Sequence, residues 1–362
     1  MATASSASLP DVSKPPFAGA PEARFEPAPA DGVLPEGFFS TSNLPTYVRV
    51  DGRWMMPTRP RMDAVVVRRG AVLETVEPRL VRQDEPVAMG LAEDGSEGIV
   101  VHVEGFLGGA TSPNEFRFMA SEVSRERPVN YDEMAERVEG ERRAGGFLVW
   151  VVGPALVHSR ARADFEWFIR QGYVQAVLAG NAVAVHDIEA AIYGTTLGMT
   201  DRGVTTVAGH GSHMRAINKV CAAGSIEAAV ESGLISRGIM HALVRHRIPY
   251  VLAGSIRDDG PLPGVITDTV AAQDAMRDHT VRATGAVFVA TALHAIAVGN
   301  MLPSFHTHRG APEPLMTICV DQTEFVVSKL KDRGTHQAFG VVTNAQDFMH
   351  VLRFYVDQCR HS

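Results

Sequence analysis

Cysteine is nearly missing from this chain: Cys221, Cys319 and Cys359 stand far apart with no CxxC pairing. That spacing excludes a disulfide-stapled scaffold and a thiolate zinc site, and it suits the reducing conditions of a cytoplasmic protein. Lysine is almost as scarce. Of 34 basic residues only Lys14, Lys219, Lys329 and Lys331 are lysine, so any chemistry through a lysine imine has few residues to draw on. No apolar run reaches the roughly 18 residues of a membrane-spanning helix. An excess of positive charge is also lacking. The net charge of −7 argues against a nucleic-acid or anionic-membrane partner. The GxGxxG fingerprint of ordinary dinucleotide folds is absent, so a bound dinucleotide would need its phosphates held in another way.

What is present is ordinary globular material, 45% hydrophobic and 21% charged. Residues 1–31 are rich in Ala, Pro and Ser and predict a disordered tail, since they offer little surface to bury. Residues 32–112 hold short β-type runs, YVRV (47–50), DAVVVRRG (63–70) and GIVVHVEG (98–105), with a hairpin signal at Asp51–Gly52. They predict a small β-rich domain. Residues 113–146 read as a connector and a charged helix that stops at Gly145–Gly146. From 147 to 362 apolar strands alternate with helices, which predicts an α/β domain with a parallel, Rossmann-like sheet covered on both faces.

Ligands of such sheets lie beyond the carboxyl ends of the strands. The post-strand segments are Gly153–Pro154, Gly180–Asn181–Ala182, Ser255 to Gly260, Thr291–Ala292 and Asp321. Their small residues let a backbone approach a pyrophosphate, and Asp321 is placed to accept hydrogen bonds from a ribose. The loop GSIRDDGPLPG (254–264) gathers Arg257, Asp258 and Asp259 at a strand end, where a substrate ammonium or iminium would suit one carboxylate. His186 opens a helix with Asp187 and Glu189 and reads either as a cap or as a site residue. His210 with His213, and His306 with His308, lack a third ligand at metal spacing and are read as loop or helix residues, with no metal site expected.

Several blocks carry a family resemblance: GFFSTSNLPTYVRVDGRW, YVQAVLAGNAVAVHDIE, GHxxHxRAIN, VLAGSIRDDGPLP, HAIAVGNMLP and SKLKDRG. Across residues 34–356 the chain resembles the archaeal-type ornithine cyclodeaminases, also called the LOR/SDH family, which form the C-terminal part of cyanobacterial arginine dihydrolase fusions. A more distant resemblance is to deoxyhypusine synthase, through DDGPL (258–262), ATA (290–292) and VDQT (320–323). The position where that enzyme needs its lysine falls at His308, which speaks against aminobutyl transfer.

The resemblance implies a deoxyhypusine-synthase-like NAD-binding domain and a redox-neutral reaction. Hydride leaves Cα of L-ornithine for NAD, the δ-amine closes on the resulting imine, ammonia departs, and returned hydride gives L-proline. It implies Asp259, Asp258 and His294 as candidates for proton transfer, and Asn43, Thr46, Arg49 and Arg257 for substrate contact. Of these, Arg49 is the preferred carboxylate clamp. Candidate cofactor contacts are Gly153, Pro154, Gly180, Asn181, Ala182, Asp187, Ser255, Thr291, Ala292, Asn300 and Asp321. A homodimer or homotetramer is expected, with SIEAAVESGLI (225–235) as a candidate interface helix. Gly211 replaces a basic residue of the family, Asp321–Gln322–Thr323–Glu324 replaces Asp-Ile-Asn-Pro, and the loop from Ser304 to Leu315 is longer than usual. The family's extra N-terminal module is not evident. Rival readings are a cyclodeaminase or dehydrogenase for another diamino acid, and a non-catalytic NAD sensor.

Overall fold

Valine runs in the first hundred residues form short antiparallel strands whose two faces are both covered. In the computed structural model, residues 10–102, 129–200, 202–204, 209–258, 260–308, 311–332 and 338–361 are described. The chain divides into two units: Met1–Pro128 with Gly299–Leu315 and Lys331–Gln337, and Val129–Val298 with Met316–Leu330 and Ala338–Ser362.

The first unit contains β1 (Arg24–Pro27), β2 (Thr46–Val50), β3 (Arg53–Met55), β4 (Val65–Arg69), β5 (Val72–Val76), β6 (Pro86–Met89) and β7 (Ile99–Val101). They make one sheet in the order β1-β6-β4-β5 and another in the order β3-β2-β7. The expected hairpin at Asp51–Gly52 is there, with Val50 opposite Arg53. Alternation of side chains along β4 sends Val65 and Val67 into a cluster with Val76 and Val87, and Val66 into another with Phe39, Val48 and Ile99. That double burial is why this segment is a continuous apolar run.

Residues 10–31, expected to be a disordered tail, are instead part of this unit. Strand β1 pairs antiparallel with β6 along the sheet edge. Phe17 is only 3% exposed and meets the rings of Tyr47 and Trp54 edge-on, at 5.5 and 5.0 Å. Composition misses this because edge pairing uses backbone groups, which every residue carries, and one aromatic suffices as an anchor. Residues 1–9 lie outside the described residues.

The second unit begins with α1 (Tyr131–Arg143), β8 (Leu148–Val152), α2 (Ala155–His158), α3 (Arg162–Arg170), β9 (Ala176–Gly180) and α4 (Asn181–Tyr193). A small hairpin follows, β10 (Thr195–Thr196) with β11 (Met199–Thr200), and then α5 (Ser212–Ala223), α6 (Ile226–Glu231), α7 (Ile239–His246) and β12 (Tyr250–Ala253). Next come α8 (Thr269–Thr280), β13 (Gly285–Val289) and α9 (Ala292–Met301). The long loop is not a loop: it forms a hairpin of the first unit, β14 (Phe305–His308) with β15 (Ala311–Pro314). This moves His306 and His308 onto a strand. The chain ends with β16 (Met316–Asp321), α10 (Glu324–Asp332), β17 (Ala338–Val342) and α11 (Ala345–His361).

Among the described residues the central sheet of the second unit is parallel throughout, in the order β12-β9-β8-β13-β16-β17. In sequence rank this is 3-2-1-4-5-6, the doubly wound Rossmann order, whose winding direction reverses between β8 and β13. Every residue of β8 and of β13 is buried, as covered parallel strands require. Ile226, Ala229 and Val230 of the proposed interface helix are spent on this core, so α6 presents no apolar face for a partner. Among the described residues no helix is long and apolar enough to cross a membrane.

Glu139 ties α1 to the turn before β9. Its buried carboxylate accepts from Arg142 at 2.9 and 2.7 Å, from Arg143 at 2.7 Å and from the Tyr173 hydroxyl at 2.6 Å. The Arg142 guanidinium holds its pKa down to about 2, from an ordinary 4.5. A depressed carboxylate pKa stabilises the fold fully above the unfolded value and loses that stability as pH falls through the folded one. Stability should therefore drop between pH 4.5 and about 2. Glu139→Gln should remove roughly 3 kcal/mol at neutral pH and flatten that acid limb in urea titrations.

For the first unit, Phe17→Ala should cost roughly 3 kcal/mol, the usual range for deleting a buried ring. An unchanged urea midpoint for that variant would show that the segment is not integral to the unit.

Candidate functional site

The reversal of winding leaves a crevice at the carboxyl ends of β8 and β13. Gly153, just after β8, donates its N–H to Val289 at 2.9 Å. A Cβ built on Gly153 would lie 1.9 Å from the Ala290 carbonyl oxygen and 3.0 Å from Thr291. Only glycine permits that approach. Ala290 has a left-handed backbone, φ 52°, and its N–H donates to Val320 on β16 at 2.9 Å. Three adjacent strand ends are thereby locked together by backbone alone. Helix α9 starts beside them at Ala292, and its first N–H groups have no intrahelical acceptors.

His294 stands in the first turn of α9. Its Nδ1 is 3.4 Å from Thr291 Oγ1, and its Cε1 lies 2.9 Å from where a Cβ of Gly180 would be. The glycine that ends β9 thus makes room for the imidazole. Burial lowers the pKa of His294, which keeps the ring neutral.

Asn181 begins α4 and is 4% exposed; its Oδ1 accepts the Leu262 N–H at 3.1 Å. It braces the 254–264 loop from beneath. Within that loop Asp258 accepts the Ser255 N–H at 2.8 Å, and Ser255 Oγ accepts the Arg257 N–H at 3.2 Å. Asp258 therefore closes its own turn, while Arg257 is exposed. Asp259 lies outside the described residues. At the end of β16, Asp321 Oδ1 accepts both the N–H and the hydroxyl of Thr323 at 2.9 Å, and Oδ2 has no protein partner among the described residues.

The structure thus brings Gly153, Pro154, Thr291, Ala292 and His294 to the crevice, with Gly180 against His294. Asp187 goes elsewhere. It is fully buried on α4, accepts the Met240 N–H at 2.8 Å at the start of α7, and lies 3.7 Å from Arg162 Nε. Burial pushes its pKa up to about 6. Its carboxylate is committed to helix packing, because position 187 is two turns into α4 rather than at its start. The sequence did not join His158 to His186, yet their rings stand 4.5 Å apart. His186 in turn faces Glu189, whose carboxylate takes Thr195, Leu197 and Gly198 of the β10–β11 turn.

In the first unit, Asn43 is 2% exposed and its carbonyl accepts both the N–H and the hydroxyl of Ser304, at 3.0 and 2.8 Å. Thr46 is buried, with its hydroxyl donating to the Leu44 carbonyl at 3.3 Å. Arg49 pairs with Glu22 at 3.3 Å and donates to the Ala20 carbonyl. Its fork is occupied by the very segment that was expected to be a free tail. Asn300 donates to Asp63 at 3.4 Å.

Gly153→Ala should destabilise the second unit by roughly 2 kcal/mol or more, as overpacking against backbone does. Thermal melting checks it; a wild-type transition would mean that β8 and β13 tolerate separation.

Comparison with known proteins gives two family matches: the arginine dihydrolase ArgZ-like C-terminal Rossmann fold over residues 132–352, and the ArgZ-like C-terminal first region over residues 45–132. The chain is 44% identical over 338 residues to the ornithine cyclodeaminase of Methanopyrus kandleri, covering 91% of this chain and 77% of that protein. It is 38% identical over 347 residues to the bifunctional arginine dihydrolase/ornithine cyclodeaminase AgrE of Nostoc, covering 93% of this chain and 47% of that one. A LOR/SDH protein of Methanococcus maripaludis superposes with a TM-score of 0.84 at 39% identity, over 94% of this chain and 99% of that one. The ternary complex of AgrE with ornithine and NAD+ superposes with a TM-score of 0.58 at 34% identity, over 95% of this chain and 47% of that one.

Proposed function

The chain belongs to the ArgZ-like C-terminal family, whose archaeal members include ornithine cyclodeaminases, and from that premise we propose that it converts L-ornithine to L-proline and ammonia with NAD as cofactor. The observation that carries the reading is the β8/β13 crevice, where side-chain-free backbone and a neutral imidazole stand together. AgrE, a relative at 34% identity, binds both ornithine and NAD+.

The crevice fits a dinucleotide. Gly153, Ala290 and Ala292 leave backbone rather than side chain at its floor, and the start of α9 offers N–H donors to a phosphate. The open Oδ2 of Asp321, on the next strand, suits a ribose hydroxyl. When bound, NAD+ supplies reversible hydride acceptance, so one ornithine gives one proline and one ammonia with no net oxidant.

The protein's own part is proton handling and exclusion of water. Thr291 holds Nδ1 of His294 and leaves Nε2 to take a proton from the substrate ammonium. A neutral imidazole is the form that this needs. Asp259 keeps the substrate-amine role that the DDGPL resemblance implies, and Asp258 shapes the loop that carries it.

The test is incubation of the protein and NAD+ with L-ornithine, and separately with L-lysine, while proline, ammonia and reduced cofactor are measured. Equal yields of proline and ammonia without accumulation of reduced cofactor are expected from ornithine. His294→Asn should lower kcat by about 10²–10⁴-fold, with NAD+ binding retained. Gly180→Ala should also lower kcat, by displacing the ring. Net reduction of NAD+, turnover of lysine alone, or an unchanged kcat in His294→Asn would overturn the assignment.

A further inference from the structure

The run DDGPLPG (258–264) leaves the returning arm of its loop almost without donors. Pro261 and Pro263 have no N–H, so between Gly260 and Gly264 only Leu262 offers one. A buried N–H needs an acceptor. Leu262 is 2% exposed, and its N–H goes to Asn181 Oδ1 at 3.1 Å. Because the donor is a backbone amide, the end of the carboxamide that faces it is the oxygen. Asn181 is itself buried, and its side chain is not spent on its own helix: Gly180 caps α4 with no side-chain bond.

The outgoing arm of the loop is fixed at the same place. Ala253, the last residue of β12, lies opposite Gly180 in the sheet register. Gly254 donates to the Ile266 carbonyl at 2.8 Å and Ile266 to the Leu252 carbonyl at 2.9 Å, so the two feet of the loop are tied together. The loop thus leaves beside Gly180 and returns onto Asn181. Gly180 is also the residue against which His294 stands, with Cε1 2.9 Å from where a Cβ would be. Imidazole and loop therefore share one corner of two residues, and Asn181 Oδ1 is the polar tie of that corner to the returning arm.

We propose that Asn181 is a positioning residue for the cyclodeaminase reaction rather than a cofactor contact: it sets the 254–264 loop at its working distance from His294. The proposal rests on the crevice being the site of that reaction. A substrate held between an imidazole and a loop reacts only when both are in place, and a displacement of about 1 Å costs about 10²-fold in rate. A cofactor contact would instead use Nδ2 of Asn181 as a donor. The two roles engage opposite ends of one carboxamide, so substitution separates them. Aspartate at this position keeps the acceptor for Leu262 and loses the donor.

The experiment compares wild type, Asn181→Ala and Asn181→Asp in three measurements on the full chain: steady-state kinetics with L-ornithine, NAD+ titration, and amide hydrogen exchange of the 254–266 segment without ligand. In Asn181→Ala that segment should exchange faster and kcat should fall by roughly 10–10²-fold, with NAD+ affinity unchanged. In Asn181→Asp slow exchange and most of kcat should return. Equal loss of kcat in both variants, or NAD+ affinity that falls along with kcat, overturns the proposal in favour of a cofactor contact. Wild-type exchange or wild-type kcat in Asn181→Ala overturns it by showing that the tie does no positioning. If Asn181→Ala does not fold, Asn181→Asp decides: near-wild-type kcat upholds the proposal and loss of kcat overturns it. No ornithine turnover by the wild type overturns instead the reaction assigned to the crevice, and the exchange measurement still decides the tie.

Discussion

The contact on which the second unit depends is one of backbone against backbone: Gly153 lying on the carbonyl of Ala290. Strands β8 and β13 run in register from Leu148 opposite Gly285 to Val152 opposite Val289. With no side chain at the next position, their loops meet directly instead of splaying. The Ala290 N–H then reaches Val320 and draws β16 into the same edge. The floor of the crevice and the strand that ends at Asp321 are brought together by this approach. A phosphate needs exposed N–H donors and no bulk above them, and the same absence of side chain supplies both.

Around that contact the site is assembled by pairs of loops that support one another. Gly180 yields the space that His294 fills, and Asn181 holds the 254–264 loop through Leu262. Three loops from three strands therefore converge without a long flexible segment between them. Burial then sets the chemistry. Desolvation keeps the imidazole neutral, in the form that accepts a proton.

Two buried carboxylates show how surroundings decide what an acid does. Glu139 is surrounded by two guanidinium groups and a phenol, so its charge is stabilised and its pKa falls to about 2. Asp187 has one backbone N–H at 2.8 Å and an arginine at 3.7 Å, and burial outweighs them, raising its pKa to about 6. Both hold helices in place. Neither is on the crevice, although Asp187 had been expected there from its place in the GNAVAVHDIE block.

Much of the fold was legible in the amino-acid sequence. Apolar runs such as FLVWVVGP and AVFVATA, alternating with helical patterns, specify a parallel sheet because burial on both faces leaves no polar position. The post-strand places of Gly153, Thr291 and Ala292 were legible for the same reason, since each follows a fully apolar run. The family blocks extended this reading to NAD and a cyclodeaminase reaction. Tertiary structure alone decided the rest. Strand order, and hence which two loops form the crevice, depends on contacts far apart in sequence. The Ser304–Leu315 segment became a hairpin, and residues 10–31 joined a sheet edge, through backbone pairing that composition does not record. Arg49 was claimed by Glu22 and Ala20, and Asp258 by its own turn. A side chain's identity states what it can bind, but only its neighbours in space determine what it has left to offer.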